Sequence, residues 1–106
     1  MVKQYDIHWI VLDPTLGSKI NKIRPCLVIS PDDSNKYLNT VIIAPITSTI
    51  RNFPMRQAII LEGKNGQIAL DQIRCIDKLS IKGKMDSLSK KDIQKVKSLI
   101  KEYLVD

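Results

Sequence analysis

Residues 25–30 read Pro-Cys-Leu-Val-Ile-Ser, and this unbroken apolar run constrains the fold more than any other stretch. A strand turns successive side chains to opposite faces, so consecutive apolar residues predict a strand covered on both sides. Proline is tolerated at the first position of such a strand, and it drives the residue before it into an extended backbone. A rigidly placed cation, Arg24, therefore stands at the mouth of a buried strand.

The rest of the chain supplies partners for that strand. Ile7, Trp9 and Val11 share one face of an extended segment, Asp6 to Leu12, which Asp13-Pro14 ends. Pro14 to Ile23 is long for a connection between neighbouring strands, and long loops of this kind are often functional. Pro31 to Asn35 reads as a turn or a single helical turn, with Asp32-Asp33 as capping residues. Thr40 to Ile46 predicts a third buried strand, with an edge or bulge at Pro45, followed by a second polar loop from Thr47 through Arg51 to Pro54. Met55–Leu61 and Gln67–Ile76 predict a hairpin across Glu62-Gly63-Lys64-Asn65-Gly66, whose glycines and asparagine suit positive φ angles. The tail predicts a helix. Ser89 and Asp92 form an S-x-x-D cap, Leu88 and Ile93 a hydrophobic staple, and Ile93, Val96, Leu99, Ile100, Tyr103 and Leu104 recur at helical spacing. The lysines at 90, 91, 95, 97 and 101 should face solvent. The expectation is one domain over residues 1–106, mainly β with a C-terminal helix (α+β).

Seventeen lysines and arginines against 11 acidic residues give a net charge of +6, which favours a polyanion or an acidic protein as partner and also serves solubility. A chain of this size buries a modest share of its surface, so a homodimer is expected. No apolar run approaches the roughly 18 residues a membrane span requires, and the N-terminus lacks a signal-peptide core, which predicts a cytoplasmic protein with no membrane partner. Cys26 and Cys75 lie in apolar stretches without metal-ligand spacing and predict buried, reduced thiols. No metal and no cofactor are expected. His8 has no second histidine to share acid and base roles and reads as structural or solvent-facing, while Trp9 and Tyr5 read as core or interface residues. Gly17 lacks the surrounding pattern of a phosphate-binding loop.

Arg24 is the leading candidate for chemistry, because a guanidinium fork holds phosphate in two-point contact; from position alone a salt bridge serves equally well. Thr47 ends the other buried strand, and its hydroxyl converges on the same phosphate if strands two and three are neighbours.

The stretches Asp6-Ile-His-Trp-Ile-Val-Leu-Asp-Pro-Thr-Leu-Gly-Ser18, Ile23-Arg-Pro-Cys-Leu-Val-Ile-Ser-Pro-Asp32, Leu38-Asn-Thr-Val-Ile-Ile-Ala-Pro-Ile-Thr-Ser-Thr49 and Leu70-Asp-Gln-Ile-Arg-Cys-Ile-Asp-Lys78 resemble, in order and spacing, the motifs of the MazF/PemK toxin family. The resemblance implies an SH3-like small β-barrel, a type II toxin-antitoxin system, and a dimeric, metal-independent endoribonuclease. Such an enzyme cuts single-stranded RNA at short sequences, leaving a 2′,3′-cyclic phosphate and a 5′-hydroxyl, and is blocked by an acidic antitoxin. Arg24 and Thr47 match the family's catalytic arginine and threonine. Lys19 stands where the family commonly has glutamate and is a candidate to hold an RNA phosphate; Ser48, Thr49 and Gln72 are candidates for base recognition. Tyr5 stands where a glycine usually precedes the aspartate. The related CcdB group uses the same barrel to poison gyrase through a tryptophan near its tail, whereas the single tryptophan here is Trp9. A non-catalytic binding module descended from such a toxin is the third reading.

Overall fold

The computed structural model describes residues 1–12 and 22–105. Among these residues there are seven strands, β1 (Asp6–Leu12), β2 (Lys22–Val28), β3 (Thr40–Thr47), β4 (Arg56–Leu61), β5 (Lys64–Ala69), β6 (Arg74–Asp77) and β7 (Ile81–Ser87), and two α-helices, α1 (Asp32–Tyr37) and α2 (Lys90–Ile100). The strands follow the order β4-β5-β3-β2-β1-β7, with β6 also paired to β3, and every pairing is antiparallel. The path stays open between β4 and β7, so the sheet is a half-barrel with its helix at the C-terminus.

The apolar run behaves as its composition requires. Cys26, Leu27 and Val28 are all at 0% exposure. Leu27 packs with Ala44, Ile46, Ile68 and Val96 on one face, and Cys26 and Val28 pack with Ile10, Val41, Ile43 and Ile76 on the other. Truncating Leu27 to alanine should cost about 2–5 kcal/mol, the usual range for a core leucine. β2 begins at Lys22 rather than Pro25, because Ile23, Arg24 and Pro25 already pair with Val11, Ile10 and Trp9 of β1.

Several expectations change. Along β1 the inward side chains are Asp6, Ile7, His8, Ile10 and Leu12, while Trp9 is exposed and Val11 half-buried. Irregularities in the β1–β7 register at Ile7/His8 and Trp9/Ile10 turn the strand, so that Ile7 enters one core and Ile10 the other. The stretch Gln67–Ile76 is not one strand, since a 3-10 turn at Leu70–Gln72 divides β5 from β6. β7 was not expected; its sequence, Ile-Lys-Gly-Lys-Met-Asp-Ser, alternates but is half charged. Cys75 is exposed rather than buried, because β6 turns Ile76 inward.

The hairpin is tighter than its five intervening residues suggested. Leu61 pairs with Lys64, leaving Glu62 (φ 50°) and Gly63 (φ 77°) as a two-residue turn with both centres left-handed. Tyr5 also takes a left-handed backbone (φ 69°), the conformation a glycine at this place would adopt freely. Its ring packs against the first core cluster and its N–H donates to the Val28 carbonyl at 2.8 Å, which offsets a backbone cost of about 1–2 kcal/mol.

α2 begins as its cap predicts, with Ser89 Oγ accepting from the Asp92 N–H at 3.2 Å. Ile93, Val96, Leu99 and Ile100 pack on the core beside Leu88, and the lysines at 90, 91, 95, 97 and 101 are exposed. Tyr103 and Leu104 are exposed too, because the last turn, Lys101–Val105, widens to π-helical geometry and departs from the apolar stripe. Among the described residues no helix is long and apolar enough to cross a membrane.

Candidate active site

Strands β2 and β3 pair through Val28↔Ile43, Leu27↔Ala44 and Cys26↔Pro45, and there the ladder stops. Pro25 and Pro45 meet at this point, and neither has an N–H with which to continue it. Beyond it the strands take other partners: β2 runs on with β1, where Arg24 faces Ile10, and β3 moves to β5, where Ile46 faces Ile68 and Thr47 faces Gln67. Two residues past the last pair, the same register sets Arg24 opposite Thr47, across strands that have separated. Both line a cleft of about 290 Å³, and so does Ser48.

Each wall has a local cause. Arg24 is half-buried, and its carbonyl accepts from the Cys26 thiol at 3.6 Å. That thiol is no nucleophile, because burial pushes its pKa up to about 12, the nearby Arg74 and Arg24 opposing the shift only in part. Thr47 Oγ1 accepts from the Thr49 N–H at 3.1 Å, which occupies the hydroxyl as an acceptor and leaves its proton to donate. Gly66 is needed beside it for closeness rather than for a positive φ: a Cβ there would stand 3.0 Å from the Thr47 carbonyl oxygen. The following loop is held by Gln67, whose Oε1 accepts from the Arg51 N–H and whose Nε2 donates to the Arg51 carbonyl, both at 3.0 Å.

Of the residues singled out from sequence, the cleft gathers Arg24, Thr47 and Ser48. Thr49 contributes its backbone N–H to Thr47, and its side chain is not on the wall. Gln72 is exposed on the 3-10 turn and does not line the cleft. Lys19 and the Gly17-Ser18 turn lie outside the described residues. Sequence reasoning missed Trp9, Glu62 and Lys64. Trp9 is 39% exposed, directly across from Pro25, and lines the same cleft as Arg24. Glu62 is the only carboxylate among the described residues lining the cleft. The two-residue turn brings Glu62 and Lys64 there, and its glycine was the one signal that could have pointed to them. His8, by contrast, is buried away from this wall, and neither ring nitrogen has a hydrogen-bond partner. Among the described residues no three His, Cys, Asp or Glu side chains cluster to hold a metal ion.

An arginine and a hydroxyl donor facing each other across a cleft with an aromatic wall suit an anion flanked by a planar group, such as a nucleotide phosphate. Residues 3–104 match the sequence pattern of a family described as PemK-like, MazF-like toxin of type II toxin-antitoxin system. The chain belongs to that family. It is 35% identical to Endoribonuclease MazF of Staphylococcus saprophyticus over 94% of this chain and 88% of the relative. The fold resembles MazF in the MazE–MazF complex of Deinococcus radiodurans (TM-score 0.83, 20% identity, 98% of this chain and 96% of that one). It also resembles a mycobacterial endoribonuclease solved with its cognate antitoxin (TM-score 0.81, 17% identity, 99% and 96%).

Proposed function

We propose that this chain is the toxin of a type II toxin-antitoxin pair and acts in the cytoplasm as a homodimeric endoribonuclease. It cuts single-stranded RNA at short sequences without a metal and is restrained by an acidic antitoxin protein. The observation that carries the reading is the juxtaposition of Arg24 and Thr47 where the β2–β3 ladder opens. The kinship with an endoribonuclease and the net charge of +6 support it.

In this mechanism the ribose 2′-oxygen bonds to the adjacent phosphorus as the bond from phosphorus to the 5′-oxygen breaks, giving a 2′,3′-cyclic phosphate and a 5′-hydroxyl. Arg24 and the Thr47 hydroxyl donate to the phosphate oxygens, where negative charge grows in the transition state. The proton of the 2′-hydroxyl goes to Glu62, which takes the place of the carboxylate that Lys19 replaces. The departing 5′-oxygen takes a proton from Arg24, which solvent replenishes. Trp9 stacks on a base beside the scissile phosphate, and Ser48 contacts the same nucleotide. Thr49 and Gln72 act outside the cleft, on flanking nucleotides, and Lys19 holds an RNA phosphate.

The test is incubation of the purified protein with a long single-stranded RNA in excess EDTA, with chemical mapping of the new ends. Cyclic-phosphate and 5′-hydroxyl ends are expected, absent with Arg24→Ala and slowed with Glu62→Gln. Intact RNA with the wild type, or unchanged cleavage by Arg24→Ala, would sink the reading.

A further inference from the structure

The single histidine, His8, takes no part in the cleft chemistry, yet it belongs to a cluster of polar groups where β1 meets β7. Asp6, 6% exposed, accepts from Ser87 Oγ at 2.9 Å through Oδ1, and Lys84 Nζ lies 3.6 Å from the same oxygen. Its other oxygen, Oδ2, is 4.0 Å from Nε2 of His8, beyond hydrogen-bond reach, so both ring nitrogens stay buried and unpartnered. The charges that act on the ring are Asp6 on its own strand, Lys84 opposite it on β7, and the N-terminal amine. Cys26 faces it from β2, as an uncharged thiol with a pKa of about 12. Asp86 is the next charge along β7, exposed and opposite Ile7.

The same pair of strands builds one wall of the cleft. Between Ile7↔Asp86 and His8↔Lys84 the register slips by one residue, and the residue left over is Met85. It slips again between Trp9↔Gly83 and Ile10↔Ile81, where Lys82 is left over. A bulged residue is released from the ladder and its side chain is re-aimed. Met85 is turned so that it packs on the first core cluster and lines the cleft with Trp9 and Arg24. His8 stands at this bulge: it pairs with the neighbour of Met85 and directly precedes Trp9. An adjustment of β1 against β7 at His8 therefore reaches both side chains on the wall.

Proton uptake changes what the cluster requires. Imidazolium carries two N–H donors and a charge that burial disfavours, and Asp6 is the carboxylate within ion-pair distance. A charge-assisted N–H···O bond is about 2.7–2.9 Å long, so the two side chains must close by roughly 1 Å. Ser87 and Lys84 hold Asp6 to β7, so this step pulls on β7, and it gives at the bulge, where the ladder is already interrupted. We infer that His8 is a proton-operated switch on the cleft: protonated, it closes onto Asp6, shifts β1 against β7 at the Met85 bulge, and displaces Met85 and Trp9 from the wall, weakening the hold on a single-stranded nucleic acid. The wall that gathers Trp9 with Arg24 and Thr47 belongs to neutral His8. Burial holds the histidine pKa below its ordinary value, so the neutral state prevails at neutral pH and the switch acts in acid. By linkage, a ligand in the cleft opposes protonation of His8 to the same degree. The inference rests on the proposed function only for the identity of the ligand; the movement of Met85 does not depend on RNA cleavage.

The test begins with the unmodified protein, carrying 13C-labelled methionine methyl groups, followed by NMR as the pH is lowered from 8 toward 5. The Met85 methyl resonance should move with the same midpoint as the His8 ring protons, while that of Met55 stays in place. In His8→Gln the Met85 resonance should be flat. A second arm measures fluorescence anisotropy of a rhodamine-labelled single-stranded oligodeoxynucleotide, which lacks the attacking 2′-hydroxyl and is not cut. Its affinity should fall about fivefold between pH 7 and pH 5. Glu62→Gln should keep that fall, which separates it from titration of the cleft carboxylate, and His8→Gln should remove it. Saturating oligonucleotide should in turn lower the His8 midpoint. A Met85 resonance that ignores the titration of His8 in the unmodified protein would overturn the inference, as would a histidine that stays neutral until the chain unfolds. The same holds for an equal fall in affinity with and without His8. RNA cleavage is assayed separately, so its failure would strike the enzymatic reading and leave the Met85 result standing.

Discussion

Strands β2 and β3 share three paired steps, and what happens at either end of them differs sharply. Beyond Val28 the polar groups are saturated. Asn35, 1% exposed, accepts from Ser30 Oγ and donates to the Ser30 carbonyl at 2.8 Å; Ser30 Oγ accepts from the Ile42 N–H at 3.0 Å, and Lys78 Nζ donates to the Asn35 carbonyl. Beyond Cys26 two prolines end the ladder, the strands part, and Arg24 and Thr47 are left facing a cleft. One end spends its polar groups on the fold. The other keeps them for a ligand, which is how a small domain combines a rigid frame with a reactive opening.

The contrast predicts that activity and stability separate by end. Arg24→Ala should lower the cleavage rate on the order of a hundred-fold or more while leaving the urea midpoint nearly unchanged. A large loss of stability in that variant would break the comparison, because it would make Arg24 part of the frame. Asn35→Ala should do the reverse. It strips both side-chain partners from the buried Ser30, its hydroxyl and its carbonyl, costing about 2–3 kcal/mol in denaturant titration, and the folded fraction should cleave at the normal rate. Gln67→Ala falls between, since Gln67 ties the loop after Thr47 to β5. A stability loss of about 1–2 kcal/mol is expected, with KM rising more than kcat falls, because the loop positions RNA without touching the reacting atoms.

The smallest effect belongs to His8. Burial lowers its pKa below the usual value, and the Lys84 and N-terminal charges reinforce this against the Asp6 carboxylate 4.0 Å away. The unfolded chain therefore binds the proton more readily, and the stability that neutral His8 contributes is present above its unfolded pKa and declines as pH falls through it toward the folded value. Thermal unfolding between pH 7 and pH 5 should show this decline, and His8→Leu should flatten it. An unaltered pH slope in that variant would assign the acid sensitivity elsewhere.

Much of the fold was legible because it follows from short-range rules. The apolar run at Cys26–Val28, the Ser89 cap and the apolar stripe through Val96 and Ile100 each state their environment within a few residues. β7 was illegible because its charged alternation marks a guarded edge, and local pattern does not separate that from a loop. Strand alternation puts Trp9 on one face with Ile7 and Val11; the irregular pairing with β7 changes which residues face inward, and that lies in the partner strand. Glu62 and Lys64 looked like parts of a loose connection until the two-residue turn carried them to the cleft.

By itself, then, the amino-acid sequence determined a mainly β chain with a capped C-terminal helix, a strand buried on both faces, and an arginine held extended before Pro25. Those features depend on side-chain period, capping and proline geometry, all of which act between near neighbours. Only the tertiary structure decided that Arg24 faces Thr47, that Trp9 and Glu62 share their cleft, and that β4 and β7 end the sheet. These are matters of register and strand order between distant segments, set by how the two cores pack, and a linear pattern carries no record of them.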